Sequence, residues 1–343
     1  MPDTPTQMKR EIDEIPRALQ NLLAHGRDDI TSAAAAAKNA RGFASAARGS
    51  SDHACAALKY TAEILSGQTM TSLAPSVVSL YGKELKLNGA LCLAVSQSGQ
   101  SPDIVQTAQA AVAGGAFTVA LTNNTESPLA GAASAVVGIR AGEEHGVAAT
   151  KTFVNSLVAG LWLLAEMHGD KKLLAAIQNL PDFLHEATLC DWTDAASFIA
   201  DTDAPSLFTL GRGASYGIAL EAALKFKEVC RLHAEGYSSA EVLHGPVSLV
   251  GDGFPVVAFA AADAAETALA QVADKLAERG ARVFATTSRA RRASALPHVR
   301  TAHPMTDPVA AVVSFYGMAE RVAVLRGVDP DAPRHLQKVT ETL

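Results

Sequence analysis

Residues 90–113 read ALCLAVSQSGQSPDIVQTAQAAVA, which is a short apolar run, a polar loop and an alanine-rich stretch in that order. The run at 90–95 predicts a buried β-strand, and the stretch at 102–113 predicts a helix that begins at a proline. Continuous apolar strands that alternate with helices are typical of βαβ units, in which helices cover both faces of a parallel sheet. This stretch therefore predicts an α/β fold.

The same alternation continues along the chain, and its two halves resemble each other. Further strands are predicted at 42–47, 117–121, 136–139, 207–211, 255–259 and 282–286, and another helix is predicted at 266–279. The segment ARGSSDHACAALKY, from Ala47, matches GRGASYGIALEAALKF, from Gly211, with a two-residue insertion. We infer from this match that one α/β unit is present twice, with the junction at residues 169–193.

The charge and hydropathy of the chain argue against two kinds of partner. The formal net charge is −6, whereas a nucleic-acid-binding protein would carry clustered lysine and arginine. The basic cluster Arg289, Arg291 and Arg292 is short and is interpreted as a solvated loop. The N-terminus is polar, and the apolar run at 155–165 is shorter than the roughly 20 residues that cross a bilayer. We therefore expect no nucleic-acid partner and no membrane association.

The cysteines and histidines give no sign of a disulfide framework or a metal site. Cys55, Cys92, Cys190 and Cys230 form no C-x-x-C pair, and the histidines show no H-x-x-x-H spacing. These patterns predict reduced, mostly buried thiols. We accordingly expect a cytoplasmic protein that uses no metal and no other cofactor.

The loop between the predicted strand at 90–95 and the predicted helix at 102–113 carries several hydrogen-bonding side chains, namely Ser96, Gln97, Ser98 and Ser101. A helix N-terminus adds free backbone N–H groups and partial positive charge, which together favour an anion of the phosphate type. Ser101 fits the N-cap position, Pro102 fits the first turn, and Gly99 permits close approach of a ligand. In the second half the corresponding positions, 260–262, are alanines, so the fold itself does not require these side chains.

The loop lacks both common nucleotide-binding signatures, G-x-x-x-x-G-K-[ST] and G-x-G-x-x-G, which favours a small phosphorylated ligand. An earlier loop, ARGSSDHA from Ala47, has a similar character, because Gly49 is followed by two serines. Both loops follow strands of the first half. Ligands of open parallel sheets bind beyond the carboxyl ends of the strands, at the switch point, so we expect the two loops to converge there.

The segment SQSGQSPD resembles the S-Q-S-G-E-T-x-D motif of the sugar isomerase (SIS) family. Within that family the chain resembles the isomerase half of glucosamine-6-phosphate synthase and the stand-alone SIS-type glucosamine-6-phosphate deaminases. The resemblance extends over MKREIDEIP near the start, HGVAATKTF at 145–153, a long match at 210–246 and the tail PRHLQKVTETL. It implies two tandem SIS domains, each a parallel sheet flanked by helices in a flavodoxin-like three-layer α/β/α arrangement.

The resemblance also predicts how the chain is divided. A helical segment is expected at 1–35, and a first SIS domain with the phosphosugar-binding loops at 36–168. A second SIS domain, with the catalytic helix, is expected at 194–328. The remaining residues, 329–343, are expected to form a tail that closes over the site.

Substrate-binding roles follow from the resemblance position by position. The residues that match the family's phosphate-binding loop are Ser96, Gln97, Ser98 and Ser101. Ser51 matches a serine that contacts the sugar, and Val147 matches a position whose backbone faces the sugar. Some positions depart from the synthase pattern: Ser101 stands where the synthase has a threonine, and Gln100 replaces a glutamate. Ala149 replaces a serine, which removes a side-chain contact.

Glu221, Lys225 and Glu228 are spaced so that they lie along one edge of a predicted helix, with Ile218, Ala222, Phe226 and Val229 as its buried stripe. Taken alone, this spacing favours an exposed row of ion pairs. The resemblance implies instead that Glu228 is the general base that moves a proton between C1 and C2 of the open-chain sugar. Lys225 matches a lysine close to that base.

Two further catalytic residues are implied by the resemblance. His244, in EVLHGP, matches a histidine that helps to open the sugar ring and that the neighbouring subunit supplies, which implies a homodimer with a shared active site. Lys338, in PRHLQK, matches a lysine that closes over the sugar and contacts its carbonyl end, either as a Schiff base or by polarising it. Without the resemblance, His244 would be interpreted as structural and Lys338 as part of a frayed, solvated terminus. His335 replaces an asparagine of the family motif.

The reaction is predicted from what precedes the isomerase motif. In the synthase a glutaminase domain comes first, whereas this sequence enters the motif near Met8. We therefore favour a deaminase that converts glucosamine 6-phosphate and water into fructose 6-phosphate and ammonia. Alternatives are a deaminase or deglycase for galactosamine 6-phosphate or fructosamine 6-phosphate, and an aminotransferase-like isomerase that lacks a glutaminase. A non-enzymatic alternative is a sugar-phosphate-binding regulator, although such regulators commonly carry a helix-turn-helix domain, for which the sequence before the first strand leaves no room.

Overall fold

The computed structural model describes residues 5–338, which form two compact units. One of them, called the first-sheet unit, is made of residues 17–144 and 151–178 together with the segment from Gln337. The other, called the second-sheet unit, is made of the segment up to Pro16 together with residues 145–150 and 179–336. Neither unit is one continuous stretch of sequence.

Helices and strands alternate over most of the described chain. The helices are α1 (Gln7–Asp13), α2 (Ile15–His25), α3 (Arg27–Ala37), α4 (Ser50–Ser66), α5 (Pro75–Ser79), α6 (Pro102–Ala113), α7 (Pro128–Ala132), α8 (Lys151–His168), α9 (Lys171–Thr188), α10 (Thr193–Asp201), α11 (Ser215–Cys230), α12 (Glu266–Glu278) and α13 (Asp307–Leu325). The strands are β1 (Phe43–Ala46), β2 (Met70–Ser72), β3 (Leu91–Val95), β4 (Phe117–Thr122), β5 (Ala135–Gly138), β6 (Leu207–Gly211), β7 (Ala234–Ser238), β8 (Pro255–Ala258), β9 (Arg282–Ala285) and β10 (Ser294–Ala295). Two short 3₁₀ turns, Glu241–Leu243 and Pro246–Leu249, follow β7.

The first-sheet unit is built on a parallel sheet with the strand order β2-β1-β3-β4-β5. Its strand β3 is buried at every position, as a strand covered on both faces must be. Helix α8 packs against α3 and α4, and helix α6 packs against α5 and α7. The direction of the strand order reverses between β1 and β3, where Ala46 lies beside Ala94. The loops that follow these two strands therefore lie at the switch point of the sheet, where open α/β sheets bind ligands.

The second-sheet unit is built on a parallel sheet with the order β10-β9-β8-β6-β7. Read from β7, this is the same order as in the first sheet read from β2. Helix α11 packs against β6, β7 and α13, and the ring of Phe208 in β6 contacts the rings of Phe254 and Tyr237 with centroid separations of 4.7 Å and 5.1 Å. The shared strand order confirms that one α/β unit is present twice.

Each of the strands predicted from the sequence is present, with ends that differ by one residue at most. The helix predicted at 102–113 has those bounds, and the helix predicted at 266–279 ends one residue earlier. The prediction missed β2, β7 and β10, which are short or polar strands at sheet edges. An edge strand has a neighbour on one side only and does not need the continuous apolar run that identifies a central strand.

The cysteines and the longest apolar helix are both accounted for by burial. The four cysteines are free thiols, of which Cys55, Cys92 and Cys230 are buried, so the prediction of mostly buried thiols is confirmed. Burial raises the pKa of the Cys92 thiol to about 12, which is typical of an unreactive structural thiol.

The helix α13 is long and apolar enough to cross a membrane, because an 18-residue stretch of it has a mean hydropathy of 1.4. However, 72% of that stretch is buried inside the protein. A core helix explains the same composition.

Candidate active site

The serine loop, residues 96–101, joins β3 to α6, and two of its backbone N–H groups are bound by its own serine side chains. The backbone N–H of Gly99 donates to Ser96 Oγ at 3.2 Å, and the N–H of Gln100 donates to Ser98 Oγ at 3.2 Å. Because each hydroxyl accepts from the backbone, its own O–H remains able to donate to a ligand. Ser96 is buried, whereas Gln97, Ser98 and Ser101 are half-buried and open to a ligand.

Ser101 occupies the N-cap of α6, as predicted, but its side chain makes no capping hydrogen bond. Pro102 stands in the first turn, where its missing N–H costs nothing. The first turn is instead supported by Asp103, which accepts from the N–H of Ile104 at 2.9 Å. The Ser101 hydroxyl is therefore not committed to its own helix, which suits a role in binding.

Gly99 is required by the shape of the serine loop. Its φ of +64° lies in the left-handed region, and a Cβ placed there would come within 2.1 Å of Ser127 Oγ and 2.5 Å of Ser127 Cβ. Ser127 belongs to the turn that caps α7, and the loop is tied to that turn because Leu129 donates its N–H to the Gly99 carbonyl at 3.1 Å. The glycine thus allows the loop to lie against the neighbouring helix start.

We expect Gly99→Ala to lower the free energy of unfolding by about 1–3 kcal/mol, because it adds backbone strain and a clash with Ser127. Chemical denaturation followed by circular dichroism measures this change. Gly131→Ala is the matched control, since Gly131 lies in α7 with no atom within 4 Å of an added Cβ. Equal stability of the two variants would contradict the assigned role of Gly99.

The first loop, which follows β1, is linked to the first turn of α6, directly after the serine loop, by an ion pair that was not predicted from the sequence. Arg48 Nε donates to Asp103 Oδ2 at 2.9 Å, and the Asp103 side chain is fully buried. Gly49, with a φ of +55°, is the N-cap of α4, so Ser51 stands half-buried in the first turn of that helix. Burial raises the pKa of the adjacent Asp52, and the nearby His53 and Arg48 partly offset that effect. The expected convergence of the two loops at the switch point is therefore supported by their position and by this ion pair.

In the corresponding loop of the second-sheet unit, residues 259–265, side chains from elsewhere in the same unit bind two of the backbone N–H groups. The N–H of Ala262 donates to Asp307 Oδ2 at 2.8 Å, and the N–H of Ala260 donates to Thr286 Oγ1 at 2.9 Å. Arg300 donates to the carbonyl oxygen of Ala260 at 2.6 Å and also binds Glu266 at 2.7 Å. A carboxylate of the protein thus takes the place that an anionic ligand would need in this copy of the loop.

The catalytic candidates on α11 form a buried row of charges, so the simpler interpretation as an exposed ion-pair row is wrong. The side chains of Glu221 and Lys225 are 0% and 1% exposed, and that of Glu228 is 20% exposed. Lys225 Nζ forms a very short hydrogen bond with Glu228 Oε2 and lies 3.4 Å from Glu221 Oε1. A buried ammonium needs such counterions because its desolvation is costly. The predicted apolar stripe, Ile218, Ala222, Phe226 and Val229, is fully buried.

His244 lies in the second-sheet unit, directly after a 3₁₀ turn, and its side chain is exposed. Its backbone N–H donates to the Glu241 carbonyl at 2.9 Å, and Gly245 continues the chain with a φ of +127°. An exposed imidazole does not fill a structural role in the core. The assignment of His244 to a partner's active site remains a prediction.

The loop that carries Val147 is held by a buried carboxylate from the start of the chain. Glu11 in α1 is fully buried and accepts the N–H of His145 at 2.5 Å and the N–H of Gly146 at 3.2 Å. Val147 and Ala149 are half-buried. Glu11 thus fixes the backbone at the position that the resemblance places against the sugar.

Lys338 is not a solvated residue of a frayed terminus. Its Nζ donates to Glu144 Oε2 at 2.9 Å, and the Glu144 side chain is fully buried. Glu144 also accepts from Thr152 Oγ1 at 2.5 Å and from the Thr152 N–H at 3.2 Å. The ion pair draws the tail into the first-sheet unit as far as Lys338, and the rest of the predicted tail lies outside the described residues. His335, exposed with a φ of +61°, precedes this contact.

The structure therefore distributes the candidate residues between the two units. In the first-sheet unit are Ser51, Ser96, Gln97, Ser98, Ser101 and Lys338; in the second-sheet unit are Val147, Lys225, Glu228 and His244. Three carboxylates that make contacts around these residues, those of Glu11, Asp103 and Glu144, were not predicted from the sequence. Each of the three lies inside or directly beside a matched segment, namely MKREIDEIP, SQSGQSPD and HGVAATKTF, and this adjacency is the signal that could have identified them.

Known proteins resemble the chain over nearly its whole length. It is 33% identical over 343 residues to the isomerizing glutamine–fructose-6-phosphate aminotransferase of Sulfurisphaera tokodaii, but it spans only 56% of that relative's length. A structure from Silicibacter pomeroyi DSS-3, provisionally described as a phosphosugar isomerase, is 56% identical with a TM-score of 0.92, and the match covers 95% of this chain and 100% of that one. The glucosamine-6-phosphate deaminase of Thermotoga maritima, 19% identical with a TM-score of 0.77 over 98% of this chain and 100% of its own, shares the fold.

The SIS domain model matches twice, at residues 39–167 and 202–316, so that each match contains one of the two parallel sheets. These two matches cover most of the chain and agree with the duplication seen in the strand order. The chain belongs to the SIS domain family.

Proposed function

We propose that the protein is an amino sugar phosphate isomerase and deaminase that converts glucosamine 6-phosphate and water into fructose 6-phosphate and ammonia. The observation that carries the proposal is the charge row of α11. Glu228 is its only member with a substantially exposed side chain, and Lys225 behind it is buried between two carboxylates. A carboxylate that is positioned by a buried lysine and is still partly exposed to a substrate suits a general base.

The serine loop would bind the phosphate group of the substrate. Its donors are uncharged hydroxyl and amide groups at the start of α6, where the helix dipole adds partial positive charge. The loop lies at the switch point of its sheet, where open α/β sheets bind ligands. In the corresponding loop of the second-sheet unit, Thr286 and Asp307 accept hydrogen bonds from two of the backbone N–H groups. These features support one phosphosugar site per chain.

The proposed reaction then needs a proton transfer between neighbouring carbons. After the ring opens, with His244 as the proposed acid–base group, Glu228 removes the proton from C2 and returns it to C1. The product of this step is the imine of the keto sugar, and attack by water at C2 releases ammonia and leaves fructose 6-phosphate. Lys338 would interact with the carbonyl end during these steps.

The homodimer with a shared active site remains part of the proposal. It is supported by the exposure of His244 together with two large apolar side chains close to it in sequence, Leu243 at 36% and Leu249 at 63% exposure. Apolar side chains in such a position are typical of residues that a partner covers. A second copy of the chain would supply that partner.

A second candidate reaction is the reverse transfer, in which free ammonia and fructose 6-phosphate give the amino sugar phosphate. It is favoured by the 33% identity to an isomerizing aminotransferase over 97% of the chain. Both reactions use the same isomerisation step and differ in the fate of nitrogen. Galactosamine 6-phosphate would react by the same steps if the site accepts it. Fructosamine 6-phosphate carries its nitrogen on C1, so the proton would move from C1 to C2, and hydrolysis at C1 would leave an aldose phosphate and ammonia.

A panel of amino sugar 6-phosphates tests the proposal. We expect ammonia release from glucosamine 6-phosphate to exceed release from galactosamine 6-phosphate and fructosamine 6-phosphate, measured by a coupled ammonia assay. In parallel, fructose 6-phosphate with excess ammonium tests synthesis of the amino sugar phosphate. Ammonia release from another member only would reassign the substrate. Absence of ammonia release and of C1 proton exchange in fructose 6-phosphate would leave the sugar-phosphate-binding regulator as the better account.

A further inference from the structure

The basic cluster Arg289, Arg291 and Arg292 lies in the loop between β9 and β10, and the backbone of this loop is fastened to α12. One carboxylate, that of Asp274 in α12, accepts the backbone N–H groups of Arg291 at 2.9 Å, Arg292 at 2.7 Å and Ala293 at 3.2 Å. Hydrogen bonds to a charged acceptor are strong, so these contacts fix the course of the loop. The arginines are exposed, as expected from the sequence, but the loop that carries them has a defined position.

A groove of about 860 Å³ runs between this loop and α12 within the second-sheet unit. Thr267, Gln271 and Glu278 lie on the face of α12 that lines it. Arg289 Nη1 donates to Thr267 Oγ1 at 3.2 Å, and Arg292 Nε lies 2.9 Å from Glu278 Oε1. Since an α-helix rises about 1.5 Å per residue, these two contacts mark the ends of a groove about 17 Å long.

The carboxylates beside the groove already have donors from the protein. Asp274 accepts the backbone N–H groups of the loop, and Glu278 pairs with Arg292. Glu266, which is buried at the start of α12, lies 2.8 Å from Arg289 Nε. Both arginines use Nε for these pairs, so each has terminal N–H groups that can still bind an acceptor in the groove.

Two further cations line the groove, namely Lys275 and Arg291, and both are exposed. Among residues 5–338, the side chain of neither one forms a hydrogen bond or an ion pair. Burial would raise the pKa of Asp274, but the backbone N–H groups and the nearby charge of Arg291 together lower it. Arg291 therefore has a carboxylate in its neighbourhood whose oxygens the loop backbone already occupies. The N–H donors of Lys275 and Arg291 remain available to an acceptor from outside the protein.

We propose that this groove binds a small anion that carries two or more linked phosphate groups. Lys275 and Arg291 bind its phosphate oxygens, and the terminal N–H groups of Arg289 and Arg292 add donors at the two ends. Guanidinium groups match the geometry of phosphate oxygens, and an ammonium supplies a compact charge. The site is independent of the proposed reaction, since none of these residues belongs to the serine loop or to the catalytic candidates.

The arrangement of the groove indicates the class of ligand. Its cations are spread along the length of α12, which suits linked phosphate groups better than a single one. The volume of about 860 Å³ lies within the range of about 300–1,000 Å³ that is typical of small-molecule sites. The net charge of −6 disfavours a nucleic acid, whose long row of phosphates would be repelled by the rest of the chain.

Pyrophosphate is the probe for a test by isothermal titration. The Ser96→Ala, Ser98→Ala background is used so that the serine loop does not contribute, and a single pyrophosphate per chain is expected to bind. Adding Lys275→Ala and Arg291→Ala should weaken this binding by about tenfold, because each exposed ion pair is worth up to about a factor of five. Inorganic phosphate, which offers a single phosphate group, should bind more weakly than pyrophosphate. An affinity that the added alanines leave unchanged would overturn the proposal.

Arg279→Ala is the matched control, since Arg279 is an exposed arginine at the end of α12 that does not line the groove. It removes the same charge as Arg291→Ala and should leave the affinity for pyrophosphate unchanged. Lys275→Arg with Arg291→Lys keeps both charges and should retain most of the binding. Equal losses in Arg279→Ala and Arg291→Ala would overturn the proposal, because overall charge would then account for the binding.

Chemical protection locates the site in the unaltered chain. Lysines are acetylated and arginines are treated with phenylglyoxal, and mass spectrometry measures the extent of modification of each residue. Pyrophosphate should protect Lys275 and Arg291, whereas the exposed Lys172 and Arg279, which do not line the groove, should react as before. Protection should be lost between about 0.1 M and about 1 M NaCl, as the Debye length falls from about 10 Å to about 3 Å. Equal modification of Lys275 with and without pyrophosphate at low salt would overturn the proposal, whether or not the protein releases ammonia from any sugar phosphate.

Discussion

Glu228→Gln is expected to lower kcat by about 10²–10⁴-fold and to leave sugar-phosphate affinity nearly unchanged, because it removes the general base but does not touch the serine loop. The amide has the shape of the carboxylate and can still accept from Lys225, so the buried row keeps its packing. Two measurements test this expectation. One is the exchange of the C1 proton of fructose 6-phosphate with solvent, and the other is ammonia release from glucosamine 6-phosphate.

Binding must be measured alongside turnover, because only a loss confined to kcat identifies the base. Isothermal titration with fructose 6-phosphate should give the wild-type affinity for Glu228→Gln. Glu186→Gln is the control, since Glu186 is an exposed glutamate at the end of α9 in the same unit. If Glu228→Gln exchanges the proton at the wild-type rate, the base is elsewhere. Glu221 would then be the next candidate, although its complete burial leaves it no open face.

The double variant Ser96→Ala with Ser98→Ala is expected to raise KM for the phosphorylated sugar by about 10²–10⁴-fold. Each lost hydrogen bond to a charged group costs about 1.5–3 kcal/mol, and about 1.4 kcal/mol corresponds to a factor of ten. In the structure both hydroxyls accept backbone N–H groups, from Gly99 and Gln100, and keep their own protons for the ligand. The effect should therefore fall on phosphate binding.

Competition by inorganic phosphate tests whether the loss is a loss of phosphate binding. Its inhibition constant should rise in parallel with KM in the double variant, while C1 proton exchange at saturating sugar phosphate should persist. Ser32→Ala is the control, since Ser32 is an exposed serine of α3 in the same unit. An unchanged KM in the double variant would rule out this role of the serine loop, even if the enzyme proves active.

The sequence by itself determined the order of the central strands along the chain, the duplication and the position of the serine loop. Each of these rests on local information. A short continuous apolar run bounded by a polar loop, such as β3, favours a buried strand. A proline after that loop favours the start of a helix. The alanines at 260–262, which stand opposite the serine loop, could also be identified from the sequence, because the two halves can be aligned with each other.

The tertiary structure alone decided which charges are buried. The spacing of Glu221, Lys225 and Glu228 puts them on one edge of a helix, but it does not say whether water or another helix covers that edge. In the structure α13 packs against α11, and Tyr316, distant in sequence, reaches Glu221. That packing turns an ordinary surface pattern into a buried ammonium held between carboxylates.

The same reason explains the residues that the sequence analysis missed. Glu11 reaches the backbone of residues 145–146, and Glu144 reaches Lys338, in each case across more than a third of the chain. Neither contact has a periodicity, because a single carboxylate that binds a distant N–H or ammonium repeats nothing along the sequence. Local sequence patterns specify the helices, the strands and the serine loop. The long-range hydrogen bonds form only when these elements pack together, because burial removes a charged group from water and makes a hydrogen-bonding partner necessary.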